Sequence, residues 1–141
     1  MPYILPFDDY NVEIAETYAG PNEYKNGALF YAKPGTQVRA VEHGQIFGAA
    51  IGIVPQNQNT LEARLAAAHT TNYIIIRHLD GTFTQYLHII PLILDGYLSQ
   101  GTIIGLTGEH DKLYRPHLHF LRFKLESKNI IYLPVEFENN R

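Results

Sequence analysis

His117 and His119 are separated by one residue and are the side chains of this 141-residue chain best placed to act together. In a β-strand, residues two apart share a face, so the two imidazoles would lie side by side while Leu118 and Phe120 point the other way. Burying two imidazoles among apolar groups is costly unless they are paired or bind a metal ion. The spacing therefore fits either a hydrogen-bonded pair at the rim of a sheet or a metal-dependent site.

The composition limits what such a site could contain. The chain has seven histidines and no cysteine, which excludes disulfides, thiolate zinc sites and cysteine nucleophiles. Any metal ion would have to be held by His, Asp or Glu. The net charge is −3 and the 11 Lys and Arg residues form no block, so nothing favours a nucleic acid or an anionic membrane as a partner.

The other histidines differ in their settings. His88 ends the segment 82–88, on the same predicted face as Thr84 and Tyr86. His78 precedes a Gly turn, and we interpret it as bonded to the backbone of that turn. We interpret the three remaining ones as solvated or structural: His43, His69 and His110.

The segments that carry and connect these histidines are short β-type runs separated by Gly and Pro. This pattern predicts a single, mainly antiparallel β domain over residues 1–141. Residues 1–25 form an N-terminal arm, and residues 134–141 form a tail. One segment departs from the β pattern: residues 52–71 are predicted to be an insertion carrying a short helix over 60–69. The predicted strands are 27–32, 37–51, 72–79, 82–89, 102–106, 117–124 and 129–133.

The sequence shows neither a signal peptide nor an apolar run of membrane-spanning length. As encoded, this predicts a cytoplasmic protein with no transmembrane segment. Two alternatives stay open: export by a route without a cleaved signal, and an origin as the excised part of a longer exported chain.

Four stretches, taken in order, carry a family resemblance. They are residues 34–46 (PGTQVRAVEHGQI), 73–88 (YIIIRHLDGTFTQYLH), 98–108 (LSQGTIIGLTG) and 116–120 (PHLHF). This order resembles the lysostaphin-type (LytM-like) zinc metallopeptidases, which cut peptidoglycan cross-links. The resemblance covers residues 27–124, interrupted by 52–71, and implies the duplicated hybrid motif, a barrel-sandwich fold.

The resemblance also implies roles for the histidines. Active members hold one zinc ion with a His, an Asp and a second His, and His119 matches that second His. His117 and His88 match the residues that position and activate the metal-bound water. A zinc ion with three protein ligands keeps a fourth position for a water whose pKa falls towards neutrality.

The other two zinc ligands are missing. The family Asp falls on Phe30, or on Leu29 or Tyr31 if the alignment shifts by one residue. The first His falls on Asn26, or near Asn22 or Glu23 in members with wider spacing. None of the three candidate positions for the Asp is a carboxylate, and no histidine stands at the position of the first His. We therefore predict a degenerate member that binds no cofactor and does not hydrolyse. It would act as a module that binds a cell-wall peptide or glycan, or regulates a hydrolase partner, with a groove formed by Phe30, Asn26 and Tyr86.

Two alternatives remain. In one, His88, His117 and His119 form a rebuilt zinc site, or Glu23 swings in from the arm, and the domain is an active metalloendopeptidase. In the other, the domain is a sugar-transport phosphocarrier, since the same architecture also serves proteins in which paired histidines pass a phosphoryl group.

Overall fold

The computed structural model describes residues 3–8, 12–18, 27–50, 72–108, 117–127 and 129–138. Within these ranges the regular elements are β-strands, so the predicted mainly β class is confirmed. The strands, in chain order, are β1 (Glu13–Tyr18), β2 (Gly27–Tyr31), β3 (Gln37–Arg39), β4 (Gly44–Ala50), β5 (Tyr73–Arg77), β6 (Phe83–Leu87), β7 (Ile89–Pro91), β8 (Tyr97–Leu98), β9 (Ile103–Thr107), β10 (His117–Glu126) and β11 (Asn129–Tyr132).

The strands form two antiparallel sheets. The larger has eight strands in the order β1-β2-β10-β6-β5-β4-β8, and β11 pairs with the far end of β10. The smaller has three strands in the order β3-β9-β7. β10 is the longest strand and lies between β2 and β6, so it carries its side chains into the centre of the large sheet.

The predicted strand 37–51 is two strands in different sheets. Val38 of β3 pairs with β9, whereas Gln45 of β4 pairs with β5. Residues 40–43 link them and carry the chain from one sheet to the other. The predicted helix 60–69 and the insertion 52–71 around it lie outside the described residues. No helix long and apolar enough to cross a membrane is present in the part of the chain that the structure describes.

The core lies on one face of the large sheet. On β10 the residues Leu118 and Phe120 are completely buried, and on β6 Tyr86 is too. The register pairs Phe120 with Tyr86 and Leu118 with Phe30, and directly paired residues of antiparallel strands share a face. These side chains therefore pack towards the inside, while the odd-numbered residues of β10 point to the opposite face.

Gly27 allows β2 to approach β10 closely. Its φ is 91°, a left-handed conformation that suits glycine, and a Cβ atom there would collide with the carbonyl oxygen of Phe120. Any other residue at this position would push the start of β2 away from β10. The alignment of β2 with the histidine-bearing end of β10 therefore depends on this glycine.

The described parts of the predicted arm and tail contribute to the core. Tyr3, Leu5 and Phe7 are buried, and Phe137 packs against the same cluster. The backbone N–H of Glu138 donates to the carbonyl oxygen of Tyr3 at 2.7 Å. The described segments 3–8 and 129–138 thus contribute side chains that close over the core.

Candidate functional site

The histidines of β10 lie on the face opposite the core, in a defined register. His119 is paired with Leu29 on β2 and with Leu87 on β6, so its two nearest cross-strand neighbours are aliphatic. Tyr73 of β5 continues this row beyond Leu87. One step along β10, His117 is paired with Tyr31. The predicted shared face of His117 and His119 therefore follows from the observed strand.

His88 comes next to His117 because the chain turns sharply after β6. Its φ is 72°, in the left-handed region that a non-glycine residue seldom adopts. Two backbone hydrogen bonds hold this conformation: its N–H donates to the carbonyl oxygen of Asn72 at 2.9 Å, and its carbonyl oxygen accepts from the N–H of Gly108 at 3.0 Å. The imidazole rings of His88 and His117 meet edge to face, with their centroids 4.9 Å apart.

The site is partly shielded from solvent. His119 is buried, with 8% of its surface exposed, while His88 and His117 are half-buried. Each of the three takes part in at least one polar, ring or electrostatic interaction. Imidazoles in this setting can exchange protons and form hydrogen bonds with a group that approaches the sheet face.

The zinc ion that the family resemblance implies does not fit the described residues. No group of three or more His, Asp or Glu side chains comes together there to hold a metal ion, and this includes the three histidines of the predicted rebuilt site. The residue of β2 beside His119 is Leu29, which offers no donor atom. Asn26, at the predicted position of the first His, lies outside the described residues.

Phe30 is not the residue that takes the place of the metal ligand beside His119. It is paired with Leu118, so its ring points to the core face, away from the histidines. The ring is 1% exposed and packs against Phe7 and Phe137, with centroid distances of 5.6 and 5.5 Å. The observed register gives that place to Leu29 because Leu29 shares the outward face with His119.

Tyr86 also belongs to the core. It is completely buried, and its hydroxyl accepts a hydrogen bond from the backbone N–H of Val41 at 3.0 Å. The side chains of Phe30 and Tyr86 therefore present no open surface to a ligand. The part of the large sheet that carries accessible side chains near the histidines includes Tyr31, Tyr73 and Leu29, all half-buried.

His78 has a structural role, but its ring does not bond the backbone of its own turn, as we interpret from the sequence, and contacts His43 and Thr84 instead. Its backbone closes the turn through bonds with Thr82 and Gly81. The ring Nδ1 donates to the carbonyl oxygen of His43 at 2.7 Å, and Nε2 accepts from the Thr84 hydroxyl at 2.8 Å. This tautomer is required because a carbonyl oxygen can only accept. Burial lowers the pKa of His78, so the neutral ring is favoured.

The other two histidines that we interpret as solvated or structural, His69 and His110, lie outside the described residues. Sequence reasoning missed a different polar residue, Glu42, which is buried beside His43. Carboxylates are mostly exposed in folded proteins, and nothing in the local sequence around Glu42 marks it as buried. Because residues 40–43 pass between the sheets, the side chain is turned inwards instead.

Comparison with solved structures supports the fold. Lysostaphin from Staphylococcus simulans, described as an antimicrobial peptidase, is 23% identical with a TM-score of 0.64, and the match covers 95% of this chain and 52% of that one. A zinc-containing peptidase from Vibrio cholerae is 19% identical with a TM-score of 0.63, covering 98% and 41%. The structure of a complex of SpoIIIAH and SpoIIQ is 17% identical with a TM-score of 0.60, covering 95% and 94%.

At these identities the structural similarity shows the fold alone. The chain spans about half the length of two lysostaphin chains to which it is similar and 88% of the lysostaphin catalytic domain. No curated protein sequence gives a significant match. The family assignment comes from a sequence model described as peptidase family M23, which matches residues 23–130, from before β2 to within β11. That match spans most of the chain and includes the four β-strands that form the histidine-bearing face, β2, β5, β6 and β10, so the protein belongs to peptidase family M23.

Proposed function

We propose that this M23 domain binds a peptide of the bacterial cell wall on the histidine-bearing face of its large sheet and does not hydrolyse it. One observation carries the proposal: His119, which matches a zinc ligand of the family, lies between Leu29 and Leu87 in the sheet. A zinc peptidase of this family needs a carboxylate close to that histidine. Here the adjacent position on β2 is aliphatic.

The aliphatic neighbours oppose metal binding for a physical reason. A divalent cation must lose hydration to enter a site, and only donor atoms from the protein can replace the lost water. Leu29 and Leu87 supply none, and they take space on both sides of the imidazole. The other two histidines, His88 and His117, contact each other through their imidazole rings, whose centroids are 4.9 Å apart.

The same face has the chemistry to recognise a peptide. Tyr31 and Tyr73 are half-buried aromatic groups on either side of the histidine row, and Gln85 of β6 adds an amide on the same face. Aromatic rings supply apolar contact area, while imidazoles and amides supply donors and acceptors. This mixture favours a polar peptide with short apolar side chains.

One observation favours a second candidate. The close approach of His88 and His117 brings two potential ligands together, and the strained φ of 72° at His88 indicates that its position is constrained. The three histidines do not come together as a metal-holding group in the described part of the chain, so His119 would have to move towards the other two; a site rebuilt in that way would make the domain an active zinc endopeptidase. The experiment below therefore measures binding, metal content and hydrolysis on the same sample.

The experiment uses protein purified without an immobilised-metal column. Zinc is measured by mass spectrometry, and the protein is mixed with insoluble peptidoglycan, with and without added zinc. We expect zinc far below one ion per chain, co-sedimentation with the peptidoglycan, and no release of soluble fragments. His117→Ala should reduce co-sedimentation, whereas His43→Ala, which removes a histidine away from this face, should not.

Two results would overturn the proposal. One is stoichiometric zinc that is lost in His119→Ala, together with fragment release that a chelator stops, which would establish the active enzyme. The other is no co-sedimentation under any condition. In that case a purified cell-wall hydrolase whose rate changes on adding the domain would point to a protein partner instead.

A further inference from the structure

A pocket of about 910 Å³ lies away from the histidine-bearing face. Its walls come from the N-terminal segment, the turn between β5 and β6, β10 and the C-terminal segment, represented by Tyr3, Asp80, Arg122 and Phe137. Arg122 is paired with Thr84 and shares the core-side face of β10 with Phe120. It thus points away from His117 and His119, and the pocket is separate from the site described above.

Glu42 lines this pocket and has an unusual environment. The residue is 8% exposed. Its Oε1 accepts a hydrogen bond from the backbone N–H of His43 at 2.8 Å. Its Oε2 is buried and has no hydrogen-bond donor among the described residues. A buried carboxylate oxygen without a donor costs several times the free energy that an ordinary hydrogen bond contributes.

The charges around the pocket are mainly negative. Glu42, Asp80 and Glu136 supply three carboxylates, and Arg122 supplies one guanidinium. Two histidines also line the pocket, His78 and His43, and the His43 Nε2 lies 3.9 Å from Glu42 Oε1. That guanidinium is already engaged: Nε donates to the Tyr3 hydroxyl at 3.0 Å, and Nη1 donates to the carbonyl oxygen of Pro134 at 3.4 Å. The pocket therefore keeps an excess of negative charge next to the unsatisfied oxygen of Glu42.

The apolar part of the lining limits the choice of cation. The rings of Tyr3 and Phe137 and the side chains of Leu79 and Pro134 form much of the wall. A metal ion would need several donors close together, and no group of three or more His, Asp or Glu side chains in the described ranges provides them. An organic cation with an aliphatic stem satisfies both the carboxylates and the apolar wall.

We propose that this pocket binds a primary ammonium group on an aliphatic stem, with Glu42 Oε2 as the principal acceptor. A lysine-type side chain and the amino terminus of a peptide share this chemistry. Because Oε2 is buried, the Glu42 carboxylate turns towards the pocket on binding, and the ammonium then donates the hydrogen bond that Oε2 lacks while the stem lies along Tyr3 and Phe137. The proposal goes beyond the function proposed above and does not depend on it, because the two sites use different faces of β10.

The test is a titration followed by ¹⁵N–¹H NMR. The main probe is Nα-acetyl-L-lysine amide, which carries only the side-chain ammonium, and alanine amide presents an α-ammonium instead. Nα,Nε-diacetyl-L-lysine amide has the lysine stem without the charge. We expect saturable shifts around Glu42 and Arg122 with at least one of the two ammonium probes and none with the diacetylated one. The ammonium probe that binds more tightly identifies the source.

A set of variants tests whether binding of the ammonium depends on the Glu42 carboxylate itself or only on the net negative charge of the domain. Glu42→Gln keeps the acceptor for His43 and should weaken binding about tenfold or more. Glu126→Gln removes an exposed carboxylate of β10 outside the pocket and should leave binding unchanged. If Glu42→Gln does not fold, Glu136→Gln on the pocket wall replaces it and should weaken binding severalfold.

Three results would overturn the proposal. They are the absence of saturable shifts with both ammonium probes, equal binding of the diacetylated probe, and unchanged affinity in the pocket variant. The first would mean that water satisfies Oε2. None of these results bears on peptidoglycan binding by the histidine-bearing face, so the two proposals can fail separately.

Discussion

His119 of β10 lies directly opposite Leu29 of β2, one residue away from Phe30, which points into the core. The side chains of a directly opposed pair are about 5 Å apart at their Cβ atoms. Leu29, like Leu87 on the other side, is therefore close enough to affect what His119 can bind. An aliphatic side chain there supplies no donor atom for a metal ion beside the imidazole.

We predict that Leu29→Asp increases zinc affinity. The new carboxylate would stand beside the His119 imidazole on the same face, which adds an anionic ligand where the native chain has none. We expect affinity for zinc to rise about tenfold or more, measured by competition with a chromophoric chelator. Because Leu29 is half-buried, the substitution should also lower the free energy of unfolding by about 1–3 kcal/mol.

Phe30→Asp is the matched control for that substitution. It introduces the same group one residue along β2 but directs it into the core, against Phe7 and Phe137. It should destabilise the domain severely and should not increase zinc affinity. Equal zinc affinities of the two aspartate variants would contradict the register described here.

We predict that the backbone conformation at His88 restricts the residues that this position accepts. Its φ is 72°, which asparagine tolerates and a β-branched residue does not. His88→Asn and His88→Val both remove the imidazole, so the difference between them reports the backbone cost. Urea denaturation should show the valine variant to be about 1–2 kcal/mol less stable than the asparagine variant. Equal stabilities would mean that the left-handed conformation is not maintained in solution.

We predict that Tyr86→Phe is destabilising although it removes a single atom. The Tyr86 hydroxyl is the acceptor for the backbone N–H of Val41, and both residues are completely buried. Without it, the N–H loses its partner in a place that water does not reach, at a cost of about 1–3 kcal/mol. Tyr97→Phe, at a residue 79% exposed, should change the free energy of unfolding by less than about 0.5 kcal/mol.

We predict that acidification destabilises the domain partly through His78. Burial lowers its pKa in the folded state below the unfolded value of 6.5, so the unfolded chain binds more protons in the interval between the two pKa values. Its contribution to stability is complete above pH 6.5 and is lost as the pH falls through the folded pKa. In His78→Asn, which can still donate to the His43 carbonyl oxygen, the loss of stability between pH 7 and 5 should be smaller than in the native chain.

Asp80 provides the comparison at lower pH. Hydrogen bonds from the Thr82 hydroxyl and backbone N–H, together with the nearby His78, outweigh the opposing effect of burial and lower the pKa of this carboxyl. Its contribution is present above the unfolded value of 3.8 and is lost as the pH falls further. Asp80→Asn should therefore change the stability curve mainly in that acidic range. A smaller change is expected where His78 titrates, because the Asp80 carboxylate raises the pKa of that histidine. An unchanged curve in the acidic range would contradict the role of the Asp80 hydrogen bonds.

Much of the candidate site could be predicted from the sequence because β-strand periodicity is a local property. The spacing of His117 and His119 is enough to place both on one face once the segment is a strand. The mainly β class and the family could also be predicted from short segments, because turn residues and the PHLHF motif can be recognised without knowing which distant residues they contact. The prediction of one continuous strand over 37–51 was wrong because the change of sheet at residues 40–43 depends on pairing partners far along the chain.

The residue beside His119 depends on the tertiary structure. The sequence motif placed the family Asp at Phe30, with Leu29 and Tyr31 as alternatives if the alignment shifts by one residue. The local pattern does not show which of the three lies beside His119. The register of β2 on β10 decided it, because a shift of one residue moves every side chain to the other face. That register follows from the burial of Phe30 and the close approach at Gly27, and both depend on residues distant in sequence. By itself, then, the sequence determined which histidines share a face, whereas only the packing of the folded chain decided what stands next to them.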